Sequence, residues 1–124
     1  MKELTKAEEQ VMEYLWKLEK AFVKDILEQF PEPRPAYNTV STIVRILEKK
    51  GMVGYHAYGK THQYYPIVSP GGYSKGRFRD VLSKNFNNSY KKFASFFTRQ
   101  EDVTIGDLEE MKKIIEAEIA KRKS

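Results

Sequence analysis

Cysteine is absent from the chain, which removes disulfides, thiolate nucleophiles and thiolate metal clusters together. The fold must be held by burial alone. No run approaches the roughly 18 apolar residues needed to span a bilayer, and no charged-then-apolar leader opens the sequence. Direct membrane insertion is not expected, and the expected location is the cytoplasm. Phosphate-cradling loops are missing too, since Gly71-Gly72 lacks a following Lys-Ser/Thr, and no serine stands in a nucleophile-elbow sequence. The acidic residues spread over predicted helix surfaces without pairing in one cleft, so an enzyme is not expected. Histidine is scarce: His56 and His62 lie on opposite arms of a predicted hairpin and could approach across it. Two ligands do not complete a zinc site, which generally takes three or four. No metal or other cofactor is expected.

What is present is one small domain's worth of helical pattern with an extension, in 124 residues carrying a net charge of +5. Thr5 and Glu8 have capping-box spacing, and Leu4, Ala7, Val11, Leu15 and Leu18 make an inner stripe flanked by Met12, Tyr14 and Trp16. Val23, Ile26, Leu27 and Phe30 repeat that spacing until Pro31, Pro33 and Pro35 end any helix. A third helix is predicted from Asn38 to Gly51, with Val40, Ile43, Val44 and Leu47 on one side. Opposite them gather Asn38, Ser41, Thr42, Arg45 and Lys49. Small polar side chains let a helix approach base edges closely, while Arg and Lys reach guanine edges or phosphates. An isolated amphipathic helix is more often merely solvated on its polar face, so the context decides.

That context is a helix, a short helix, a turn and a helix, the order of a helix-turn-helix. After Gly51 the period changes: Met52, Val53, Tyr55, Ala57 and Tyr58, then Gly59-Lys60, then Thr61 to Val68, read as a β-hairpin. A hairpin in that place is the wing of a winged helix, with Lys60 at its tip where a phosphate can lie. From Arg34 to Tyr65 the chain has five Lys or Arg against Glu48 alone, a local balance that favours a polyanion. Tyr37 precedes the third helix, and its ring serves either a sugar or phosphate contact or core packing.

The predicted fold is therefore mainly α with a small β-hairpin: a winged helix-turn-helix domain over 1–68 and a helical dimerisation region over 69–124. The segment SPGGYSKG reads as a loop. Beyond it Phe78, Val81, Leu82 and Phe86 form one stripe, Asn87-Asn88-Ser89 interrupts, and Tyr90, Phe93, Phe96 and Phe97 form another, so two short aromatic helices are predicted. Thr104 and Asp107 cap a last helix lined by Leu108, Met111, Ile114, Ile115 and Ile119. About fifty residues cannot bury so many large side chains around their own core, so a second copy of the chain is expected to cover them. Folding back onto the winged domain is the plainer alternative.

The segments LTKAEEQVMEYLW, YNTVSTIVRILEKKGMV, HQYYPIV, FNNSYKKFASFF and DLEEMKKII, in that order, resemble the penicillinase-repressor (BlaI/MecI) family. The resemblance implies a homodimeric repressor on a palindromic double-stranded DNA operator of β-lactam-resistance genes, released when a membrane sensor protease acts. It places the recognition helix on Asn38 to Lys50, with Thr39 and Thr42 matching family threonines. Ser41 stands where many relatives have Lys or Arg, and Arg45-Ile46 replaces a threonine-arginine pair, so a different operator sequence is expected. The cleavage position maps to Phe96 and Phe97 instead of asparagine-phenylalanine, which argues against cutting there. Asn85-Phe86 falls at the family's phenylalanine-glycine-glycine-serine turn, so its likeness to a cleavage site is coincidental. The copper-responsive branch binds metal through C-terminal cysteines and is excluded. A winged helix that binds protein rather than DNA is the alternative function, since fold alone does not assign one.

Overall fold

Helix α1 (Lys6–Leu18) starts where Thr5 Oγ1 accepts from the Glu8 N–H at 3.2 Å and Glu8 Oε1 accepts from the Thr5 N–H at 3.1 Å, the reciprocal cap its sequence predicts. The computed structural model describes residues 3–124. Leu4, Val11, Met12 and Leu15 enter the core, but Ala7, expected in the stripe, is exposed. The apolar sector is rotated toward Met12, whose flexible thioether fills core space that one alanine methyl cannot. Helix α2 (Val23–Gln29) opens with Asp25 Oδ2 accepting from the Phe22 N–H at 2.9 Å and buries Val23 and Ile26. Its last carbonyls are taken by Arg34, which donates to the Phe30 and Glu28 oxygens at 3.0 and 3.2 Å.

Helix α3 (Tyr37–Lys49) places Val40, Val44 and Leu47 fully inside. It stops because Gly51 takes a φ of +76°, open to glycine at little cost. The Gly51 N–H then donates to the Glu48 oxygen and the Met52 N–H to the Leu47 oxygen, at 3.0 and 2.9 Å. This is the Schellman pattern, with buried Met52 joining Leu47 in the core. Strands β1 (Val53–Tyr58) and β2 (Thr61–Pro66) pair antiparallel from Val53↔Pro66 to Tyr58↔Thr61, turning at Gly59, where φ is +64°. Ala21 adds an isolated antiparallel bridge to β2 by exchanging two backbone bonds with Tyr64, at 2.9 and 2.8 Å. The hairpin root is thereby tied to the link between α1 and α2.

The sequence SPGGYSKG is not a loop. Helix α4 runs Pro70–Phe86, so it is longer than the short helix expected. Proline is tolerated at a first helical position because its missing N–H is an orphan there anyway. Ser69 caps the turn, its Oγ accepting from the Gly72 N–H at 3.0 Å. Tyr73 is then buried with the core, and its hydroxyl donates to Glu9 at 2.7 Å. Trp16 donates to the Val68 oxygen at 2.7 Å. The chain divides into two compact units, Met1–Phe78 and Arg79–Ser124, the first reaching past the boundary expected at 68.

The second unit holds the end of α4 with α5 (Tyr90–Thr98) and α6 (Ile105–Lys123). Asn87 and Asn88 turn the chain with φ of 51° and 60°, a region asparagine tolerates better than most residues. Thr104 and Asp107 form the predicted capping box of α6. Phe86 packs edge-on to Phe93 at 5.5 Å, and Phe93 lies against Phe97 at 5.7 Å. Among the described residues no helix is long and apolar enough to cross a membrane.

Candidate nucleic-acid interface

The polar side of α3 faces outward. Asn38, Thr39, Thr42, Arg45 and Lys49 are exposed, Ser41 is half-buried, and Tyr37 is 53% exposed, not taken into the core. Thr42 Oγ1 donates to the Asn38 oxygen at 2.9 Å, so its proton is committed and it presents a methyl and lone pairs outward. The buried face fixes this orientation, since rotating α3 would lift Val40, Val44 and Leu47 out of the core.

The five basic residues counted between Arg34 and Tyr65 do not act alike. Arg34 caps α2. Lys50 points back to α1, its Nζ 2.6 Å from Glu8 Oε1 and 3.1 Å from the Glu3 oxygen. Burial alone would push the Glu8 carboxyl up, yet the Lys50 hydrogen bond, the Thr5 N–H and the Lys50 charge together hold it below the ordinary carboxylate value. Among the described residues, Arg45, Lys49 and Lys60 have no carboxylate partner. Of the five, these three are the ones free to meet an external anion.

Arg45 and Lys60 meet in a cleft of about 190 Å³ between α3 and the wing, where Tyr37, Ser41, Thr61 and His62 also stand. Tyr64 closes its floor; burial pushes this phenol up, the Glu48 charge adds to that, and the Arg45 charge opposes it. The sequence does not single out His62 for this cleft, because alternation along a hairpin gives its faces only once the register is known. The register pairs Ala57 with His62 and His56 with Gln63, which puts the two histidines on opposite faces. His56 stacks on Tyr65 at 5.0 Å and His62 on Tyr55 at 4.1 Å, so they do not approach each other.

The model of the penicillinase repressor family matches residues 4–117. The chain belongs to that family. It is 25% identical over 114 residues to the methicillin resistance regulatory protein MecI of Mammaliicoccus sciuri, covering 91% of this chain and 93% of that protein. It is 20% identical over 115 residues to the penicillinase repressor of Bacillus licheniformis, covering 92% and 90%. The solution structure of the DNA-binding domain of the repressor BlaI superposes with a TM-score of 0.50 at 25% identity, over 59% of this chain and 94% of that one. The first unit is thus a winged helix-turn-helix of the kind found in penicillinase repressors.

For this penicillinase-repressor relative, the residues expected to join two copies are exposed to different degrees. Leu82 is already 5% exposed within its own chain. Phe86, Phe93, Phe97, Leu108 and Met111 are half-buried. Phe78 is partly open, and Ile114, Ile115 and Ile119 on α6 are exposed at 69, 54 and 48%. Together with Glu118 and Arg122 these three isoleucines line a groove of about 350 Å³. Phe96 and Phe97 lie inside α5, where the Phe96 oxygen accepts from Gln100 Nε2 at 2.9 Å.

Proposed function

We propose that the protein is a DNA-binding transcriptional repressor that acts as a homodimer and occludes a palindromic operator. The observation that carries this reading is the outward face of α3, where Arg45 and Lys49 stand unpaired beside exposed Asn38, Thr39 and Thr42. The cations of the same region that do find partners, Arg34 and Lys50, point elsewhere. Tyr37, Ser41 and Lys60 extend the surface to the wing.

In the mechanism proposed, α3 enters the major groove with Asn38, Thr39 and Thr42 against base edges and the wing lies along the backbone. Two copies joined through Ile115, Ile119 and their neighbours present two such helices, so half-sites recur at one helical turn, roughly 34 to 36 Å, or a multiple. The regulated genes we assign to the β-lactam-resistance type, on the strength of the relatives' names. Cutting by a membrane sensor protease at Phe96–Phe97 fits poorly, because an asparagine-selective pocket meets a phenyl ring on helical backbone. Release through another signal fits this chain better.

Footprinting on DNA flanking its own gene, with binding titrated against salt, tests the reading. A protected, two-fold symmetric site whose affinity falls steeply with salt is expected. Salt-insensitive association with protein and no protection would instead favour a protein-binding winged helix.

A further inference from the structure

His62 occupies the α3–wing cleft in a defined pose. Its ring lies flat on Tyr55, with centroids 4.1 Å apart and planes 7° from parallel, so its nitrogens are confined to the ring edge. The charged and titratable groups around it are Arg45 from α3, Lys60 from the turn, and the phenols of Tyr37, Tyr55 and Tyr64. Among the described residues no carboxylate lines the cleft; Glu48 is the acid whose charge is felt at Tyr64. Two cations, an imidazole and the hydroxyls of Ser41 and Thr61 around about 190 Å³ make a seat rich in hydrogen-bond donors. Such a seat suits a tetrahedral oxyanion, which accepts several charge-assisted hydrogen bonds at once.

We propose that this cleft holds one backbone phosphate of the bound duplex, contacted by Arg45, Lys60 and protonated His62, so that DNA binding takes up a proton. The proposal rests on the DNA-binding reading and deepens it. It makes Arg45 a phosphate contact in place of a base reader and leaves sequence discrimination to Asn38, Thr39 and Thr42. The physical reason is charge balance. A phosphate anion seated beside an imidazole favours the ring's charged form. Histidine is the side chain whose charge ordinarily changes between pH 5 and 8.

The test is fluorescence anisotropy of the full chain on two duplexes, one from the protected region and one scrambled, between pH 5.5 and 8 and over a salt series. Wild-type protein is expected to bind both duplexes several-fold tighter at the acid end. His62→Phe, which keeps an aromatic ring on Tyr55, abolishes that dependence, whereas His56→Phe on the opposite face of the wing retains it. Arg45→Ala and Lys60→Ala each weaken both duplexes alike, by roughly tenfold, and lower the salt slope by about one. Persistence of the pH dependence in His62→Phe, or an Arg45→Ala loss confined to the specific duplex, overturns the proposal while leaving DNA binding intact. If wild-type protein ignores every duplex but inorganic phosphate moves the His62 ring resonances, the cleft takes free phosphate. The duplex seat and the DNA reading then fall together.

Discussion

Glu8 and Lys50 join α1 to the end of α3, and removing either should loosen the winged domain. The carboxylate is 5% exposed and receives Lys50 Nζ at 2.6 Å. Lys50→Met keeps the aliphatic stem but leaves that carboxylate with its capping bond to Thr5 alone. A hydrogen bond to a charged, buried group contributes about 1.5 to 3 kcal/mol. The ammonium is 23% exposed and so partly solvated, which places the expected loss near the lower end, about 1.5 to 2 kcal/mol. For a domain of this size each kcal/mol moves Tm by roughly 4 to 8 °C. Urea unfolding of wild type, Lys50→Met, Glu8→Gln and the double variant measures the coupling directly. The acid limb gives an independent check. Glu8 has a folded-state pKa below its ordinary value of 4.5, so its contribution is complete above that value and is lost as pH falls through the lowered one. Glu8→Gln should therefore flatten the stability profile below pH 4.5. A coupling energy near zero, together with an unchanged acid limb, refutes the reasoning.

Leu47 is fully buried, so Leu47→Ala should cost about 2 to 5 kcal/mol in urea unfolding; a loss under about 1 kcal/mol would mean the site collapses around the cavity. Gly51→Ala meets no atom within 4 Å, and its strain comes only from the φ of +76°. It should destabilise by about 1 kcal/mol, and an unchanged midpoint would show that α3 can end another way. Ile115 is 54% exposed, so Ile115→Glu should leave the monomer fold intact by circular dichroism. Sedimentation should then show single chains and anisotropy much weaker operator binding; a variant that stays dimeric removes α6 from the proposed interface.

Much of this molecule is legible in its sequence because local chemistry and global packing agree. Thr5 with Glu8, Thr104 with Asp107 and Gly51 after Lys50 mark helix ends that short-range hydrogen bonds determine. The hairpin follows from alternation and Gly59. The misses have one source, which is that periodicity reports a face but not its neighbours. Ala7 and Met12 lie on the two margins of one apolar sector, and only the packing of α3 and β2 on α1 decides which margin is buried. Pro70 and two glycines look like a loop until Ser69 supplies the cap and Tyr73 finds the core.

Charge was the least legible quantity at the candidate interface, and it changes what a count of basic residues means. Arg34, Arg45, Lys49, Lys50 and Lys60 are equivalent in a tally. In the fold Arg34 is held by helix carbonyls and offset by Glu32 at 3.7 Å, and Lys50 is offset by a buried carboxylate, so both contribute less to the field that an approaching polyanion meets. The remaining three sit on one helix face and one turn, and the imidazole of His62 joins two of them in the cleft. Steering depends on the cations left uncompensated and on how closely they converge. By that measure the surface is smaller than a count of basic residues implies and more sharply focused, with its strongest point between α3 and the wing.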